Sequence, residues 1–182
     1  MKTDARVKYT KMVLKNALLE LMKEKTVNRI TVREVCDKAG LNRATFYTHY
    51  ADCFALLESI ENDLLRDFEL SMEKCVPTFD ITKLVTAIYD IIEKNEEVCR
   101  VLIFGRRSTT LLHKMIDYAH DLSIASWRAK LVKATEQDLE MLYLCLSNGL
   151  LCVVVDGYDR FAKEAMIRFV NLVFISVTAA YM

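Results

Sequence analysis

The sequence predicts an all-α chain, and three observations carry that prediction. Its 182 residues include one proline and four glycines, so little interrupts helical segments. Apolar residues recur at helical spacing, as Leu14, Ala17, Leu18 and Leu21 do, and no strand-like alternation is sustained. Residues suited to helix capping stand where these apolar runs begin. A mass of 21.0 kDa allows one large domain, or a small one joined to a larger one. The 53% apolar content is high for such a chain. It implies a helical core and a further apolar surface for a partner to cover.

Taken in order, a first helix runs from about residue 5 to 25, and the β-branched stretch TVNRI ends it. Thr31-Val-Arg-Glu34 fits a capping box that opens a short second helix over 31–39, closed by Gly40. Asn42 caps a third helix over 43–50, and Asp52 caps a long fourth reaching about residue 76 before Pro77. Asp80 opens a fifth helix to about residue 94, and a short one ends near Gly105. A long amphipathic stretch covers 108–133. Thr135 begins a helix to about residue 156, stopped by Gly157, and Asp159 opens the last. About nine helices result, with no internal repeat.

Zero net charge conceals an asymmetry. Residues 1–50 hold eleven Lys/Arg against five acids, a net +6, which leaves −6 on the remainder. A basic end on an acidic body points to a polyanion partner for the first part alone. The N-terminal stretch is charged throughout and resembles no signal peptide. The charge-free tail from Phe169 to Met182 has 14 residues, short of the ~18 that a membrane span needs. The expectation is a cytoplasmic protein with no membrane partner. Six cysteines without metal spacing read as reduced packing residues, with Cys145 and Cys152, seven apart on one helix face, as the pair for a redox role.

The second and third helices form a helix–turn–helix around Gly40-Leu41-Asn42. On a wheel of ~100° per residue, Phe46 and Tyr50 face inward, with Leu41 closing the turn. Ala44, Thr45 and Thr48 take the opposite sector, and Tyr47 and His49 the flanks. Small residues let a helix backbone approach base edges, and Thr offers a hydroxyl to a base or a methyl to thymine. Flanking Tyr and His reach phosphates, and Arg43 adds charge at the helix start. A short connector helix with a polar face is the plainer reading of the same shape.

The stretch ITVREVCDKAGLNRATFYTHYADCFALLESI resembles the DNA-binding signature of the TetR/AcrR family of transcriptional regulators. The matching positions are Thr31, Val32 and Val35, then Ala39 to Asn42, Thr45, Phe46, Tyr47, His49 and Tyr50, then Leu56 and Leu57. The likeness covers about residues 7–65. It implies a three-helix DNA-binding domain over 1–51 and a bundle over 52–182 for effector binding and dimerisation, joined by the fourth helix. It also implies a bacterial regulator, a repressor by default, that binds a palindromic double-stranded operator as a homodimer and is released by a small molecule. The expected DNA-facing residues are Thr31, Arg33, Asn42, Arg43, Ala44, Thr45, Tyr47, Thr48 and His49. One departure stands out: the family places a Lys that meets a phosphate where this chain has Cys53, within Asp52-Cys53-Phe54. A TetR-like protein-interaction module or co-activator with weakened DNA binding is therefore the alternative.

For the effector pocket, the helices that the family uses supply Phe68, Met72, Phe104, Met115, Tyr118, Trp127 and Tyr143. His113, Asp117 and His120 share a helix face, as a polar pocket stripe or, less simply, as metal ligands, and Arg106 and Arg107 could meet an acidic effector. The last two helices are apolar all round, which suits a four-helix dimer interface. Its expected residues are Leu146, Leu150, Val153, Phe169, Leu172, Val173 and Ser176, with Gly149 allowing close approach. No glycine-rich phosphate loop, GxSxG elbow or HExxH stands in the chain, so an enzyme is not expected, and neither is a metal or cofactor.

Overall fold

A computed structural model describes residues 2–105 and 109–182. Its described residues are helical with no strand: α1 Lys2–Met22, α2 Val32–Ala39, α3 Arg43–Tyr47, α4 Cys53–Cys75, α5 Ile81–Lys94, α6 Glu96–Cys99, α7 Thr109–Arg128, α8 Glu136–Gly157 and α9 Lys163–Thr178. Short 3-10 turns stand at Val27–Arg29, Val76–Thr78 and Ala179–Tyr181, and α6 runs on into a π-helical stretch, Arg100–Gly105.

The chain divides into two compact units, Met1–Leu64 with Glu97–Arg106, and Leu65–Glu96 with Arg107–Met182. Within the first unit α1 packs on α2 and α2 on α3. Leu14, Leu18, Val35, Phe46 and Leu56 are wholly buried. The first unit also takes in Val98, Cys99, Val101, Leu102 and Ile103, all buried, from the middle of the chain. Lys23, just past the end of α1, stands 3.7 Å from Glu97. Nothing in the local sequence pattern shows that this apolar run sits with the N-terminal helices.

Within the second unit α5 packs on α9, α7 on α8 and α8 on α9. One core cluster gathers Ile124, Trp127, Leu131, Leu139, Leu142, Tyr143 and Phe174. Its rings meet at 6.0 Å (Trp127–Tyr143) and 6.1 Å (Trp127–Phe174), and Phe79 adds a tilted contact to Phe174 at 5.3 Å. The Tyr143 hydroxyl donates to the Ile116 carbonyl, which satisfies the polar end of a buried ring. A second cluster joins Val85, Tyr89, Met166 and Val170.

Capping explains most helix starts. Thr31 and Glu34 form the reciprocal box at α2, Thr135 and Asp138 repeat it at α8, and Asp80 accepts from Thr82 and Lys83 at α5. Gly40 ends α2 at φ 65°, a left-handed conformation that glycine adopts without Cβ strain.

Four boundaries differ from expectation. α1 ends at Met22, because the N–H groups of Lys23 and Glu24 turn back in tight bonds to Glu20 and Leu21. α3 ends at Tyr47, because the His49 N–H closes a three-residue turn on Phe46. α7 ends at Arg128, and the Lys130 and Leu131 N–H groups return to the Trp127 carbonyl. α9 starts at Lys163 rather than at Asp159: Arg160 and Phe161 both donate to the Gly157 carbonyl, so a turn intervenes. Gly157 itself lies in the last turn of α8, where a Cβ would come 2.7 Å from the Met166 sulfur. α8 ends at this glycine as expected, and a Cβ there would oblige the flexible Met166 side chain of α9 to shift.

α8, and α9 taken together with the 3-10 turn that carries it on to Tyr181, are long and apolar enough to cross a membrane by length and composition. That corrects the expectation, drawn from the tail alone, that no segment reaches spanning length. Inside the unit α8 buries Leu139, Leu142, Tyr143 and Val154. Its outer side leaves Met141 and Leu144 59% and 60% exposed, and α9 leaves Phe169, Leu172 and Ile175 more than half exposed.

Candidate nucleic-acid interface

The site is built on a short rigid frame. The Asn42 side chain accepts the Thr45 N–H at 2.7 Å, fixing the start of α3 and occupying one of its open donors. Phe46 is wholly buried and Tyr50 nearly so, with ring centroids 6.0 Å apart. These two anchors turn Arg43, Ala44, Tyr47 and Thr48 outward, all exposed, while Thr45 and His49 are half-buried. Tyr47 is 58% exposed although aromatic, its ring edge-on to Phe46 at 5.7 Å. The Thr48 hydroxyl donates to the Thr45 carbonyl at 2.7 Å, which closes the helix and orients the side chain.

The electrostatics single out three cations. Glu34 is held by Lys25 and by both the N–H and hydroxyl of Thr31, which bring its carboxyl down to about 2. Arg33 pairs with Asp37 at 3.5 Å across one helical turn. Arg29, Lys38 and Arg43 form no ion pair among the described residues and are exposed. They are therefore the cations of this region most available to phosphates. Thr31 is exposed but committed to its capping box.

Cys53 is 4% exposed, and burial pushes its thiol up to about 11. It fills the core side of the start of α4, where Asp52 accepts the Ala55 N–H at 2.8 Å. Beside it Phe54 is 55% exposed. A buried thiol thus stands where the resembled signature has a Lys.

The other expected sites separate. A small cleft of about 300 Å³, counting its open mouth, is lined by Cys75, Val76, Phe79, Leu84, Trp127 and Phe174 among others. Of the seven expected pocket residues only Trp127 lines it. Met72 and Tyr143 are core, Phe68, Met115 and Tyr118 are half-buried, and Phe104 belongs to the first unit. Phe79 and Leu84 were missed because their exposure to a cleft depends on the turn at Val76–Thr78, not on helical spacing.

His120 is held by Asp121 at 2.8 Å and by Glu140 of α8 at 2.9 Å, and lies edge-on to Tyr143. Its partners on the stripe, His113 and Asp117, are exposed. Arg106 and Arg107 lie outside the described residues. Of the expected interface residues, Phe169, Leu172 and Ser176 are exposed, whereas Leu146, Leu150, Val153 and Val173 are half-buried. Leu146, Leu150 and Val153 pack against the unit's own core clusters. The exposed stripe of α8 is instead Met141, Leu144, Cys145, Asn148, Gly149 and Cys152. It could have been found by following the 3–4 spacing one residue further round the helix.

A capped helix–turn–helix presenting small and hydroxyl residues, on an all-α chain, defines the class: a helix–turn–helix protein with a helical second unit. No family model matches the chain. Over 51 residues it is 35% identical to the uncharacterized HTH-type transcriptional regulator YxbF of Bacillus subtilis (strain 168). That stretch is 28% of this chain and 13% of the length of YxbF. In fold the chain is similar to the dihydroxyacetone kinase operon activator DhaS, with a TM-score of 0.53 over 94% of this chain and 93% of that one. At 14% identity the likeness to DhaS is one of fold. Both similar proteins bear the names of transcriptional regulators, one an HTH-type regulator and the other an operon activator.

Proposed function

We propose that this chain is a TetR-type, ligand-responsive transcriptional regulator that binds an operator through α2 and α3. The observation that carries the reading is the outward set Arg43, Ala44, Tyr47 and Thr48, fixed by the Asn42 cap and the buried Phe46. Ala44 leaves room for the α3 backbone to approach base edges, Thr48 and Tyr47 contact bases and backbone, and Arg29, Lys38 and Arg43 meet phosphates. Arg33, Thr31, Thr45 and His49 border this surface. Residues 1–51 read the DNA; residues 52–182 take the effector and dimerise.

In this reading two copies associate through the exposed apolar faces of α8 and α9, and their recognition helices reach successive major grooves of a near-palindrome ~34–36 Å apart. A small apolar molecule enters the second unit beside Trp127 and favours a spacing that does not fit the operator. Release from DNA then relieves repression in the cytoplasm. Both apolar helices bury one side within their own unit, which favours a soluble dimer over a membrane span.

Selection from random duplex DNA, with wild type and a Tyr47→Ala, Thr48→Ala variant side by side, tests the reading. Wild type alone enriches an inverted repeat. A second reading, a protein-binding regulator with reduced DNA affinity, is favoured by the buried Cys53. It gives no enrichment by either protein at any salt concentration, and that result would exclude the operator reading.

A further inference from the structure

Cys145 and Cys152 are both exposed on the outer stripe of α8. Seven residues of helix set them ~10.5 Å apart along its axis. A disulfide needs Cα atoms within ~7 Å, so the two cannot join within one chain. Midway between them lie Asn148 and Gly149. A Cβ on Gly149 meets nothing within 4 Å, and the Asn148 amide is folded back onto the Leu144 carbonyl at 2.8 Å. The centre of the stripe is therefore open, small and uncharged, flanked by Met141 and Leu144.

These positions have a symmetry consequence. If two copies of α8 cross antiparallel about a two-fold axis at residues 148–149, Cys145 of each copy faces Cys152 of the other. Gly149 permits the close approach that such a pair needs. We propose that the homodimer carries two symmetric disulfides, Cys145 to Cys152 of the second copy and the reverse, formed by hydrogen peroxide as the copies meet. This rests on the α8–α9 dimer reading above.

For each bond, one thiolate attacks a peroxide oxygen; the O–O bond breaks, hydroxide leaves and takes up a proton as water, and a sulfenic acid forms. The facing thiolate then attacks that sulfur; the S–O bond breaks, the S–S bond forms and a second water leaves. The two sulfurs lose two electrons, which the peroxide gains. Cys152 donates to Asp156 at 3.4 Å on its own helix. Cys36, Cys53 and Cys99 are buried and stay outside this chemistry. The oxidised protein is a covalent dimer, with the spacing of its DNA-binding units constrained.

The test oxidises wild type, Cys145→Ser and Cys152→Ser proteins with hydrogen peroxide, followed by non-reducing gels and peptide mass spectrometry. Wild type yields a reducible band at twice the chain mass and a linked peptide joining residue 145 to residue 152. Neither single variant yields the band, but an equal mixture of the two does, in about half of its dimers, because one facing pair survives in each mixed dimer. A band from either variant alone, or none from wild type that sediments as a dimer, overturns the disulfide while leaving the dimer intact. Sedimentation of the reduced wild type as a monomer overturns the dimer reading and the disulfide together.

Discussion

At residue 53 the chain carries sulfur where a phosphate-binding cation is expected, and the structure puts that sulfur inside. Cys53→Lys should therefore act on two quantities. Operator binding becomes steeper in salt, by ~0.9 in the slope of log K against log salt for one added phosphate contact. Folding weakens by about 1–3 kcal/mol, since a long side chain is forced into a packed position. Titrations at several salt concentrations and urea melts read the two effects separately; an unchanged slope places position 53 away from the DNA. Thr31 offers a second residue-scale check. Thr31→Ala removes the α2 cap and costs about 1 kcal/mol in a thermal or urea melt. The Glu34 carboxyl, held down to about 2 from 4.5 chiefly by its hydrogen bond from Lys25, stabilises the fold above pH ~4.5, and that contribution fades as pH falls toward 2. Wild type should thus lose its advantage over Glu34→Gln across that window in acid-unfolding curves. A constant difference between the two would mean the pair contributes nothing.

At the scale of elements, the π-helical stretch Arg100–Gly105 leaves no room for a side chain at its end. A Cβ on Gly105 would stand 2.8 Å from the Arg100 backbone oxygen, an atom that cannot move without unwinding the turn. Gly105→Ala should destabilise by about 1–3 kcal/mol, with exchange protection lost first at Val98, Cys99, Val101, Leu102 and Ile103, as hydrogen exchange would read. Besides the shared apolar core, His120 of α7 links to Glu140 of α8. Its pKa is raised from the usual histidine value by the hydrogen bonds it donates to Glu140 and then Asp121, so its contribution is complete below pH ~6.5 and is lost as pH rises through the raised value. A proton NMR titration should find the His120 pKa lower in Glu140→Gln than in wild type. An identical titration in the two proteins would remove the His120–Glu140 link.

For the whole molecule, dimerisation is the governing prediction. Phe169→Lys with Leu172→Lys places like charges on the exposed face of α9 without touching the core residues Val170 and Phe174. Sedimentation should show a folded monomer whose operator affinity is much reduced, since one half-site is then bound at a time. Retention of the dimer would move the interface elsewhere. Effector binding has its own optical readout, because the only Trp of the chain, Trp127, lines the cleft. An apolar ligand seated there changes its fluorescence; a ligand that alters operator binding but not Trp127 emission occupies another place.

Much of this was legible in the residues themselves. The Thr31 box, the Gly40 turn, the Asn42 cap and the inward pair Phe46 and Tyr50 are decided within a few residues of one another, so local chemistry and helical periodicity determine the helix–turn–helix and its outward face. The all-α character follows from the same cause. Other features depend on contacts far apart in the chain: the placement of Val98 to Ile103 with the N-terminal helices, the cleft beside Phe79 and Trp127, and which stripe of α8 remains exposed. Leu146 and Leu144 are equally apolar in the sequence, yet one packs against Trp127's cluster and the other is open. Side-chain chemistry gives both the same tendency to leave water, and only the arrangement of neighbouring helices determines which of them does so within the chain.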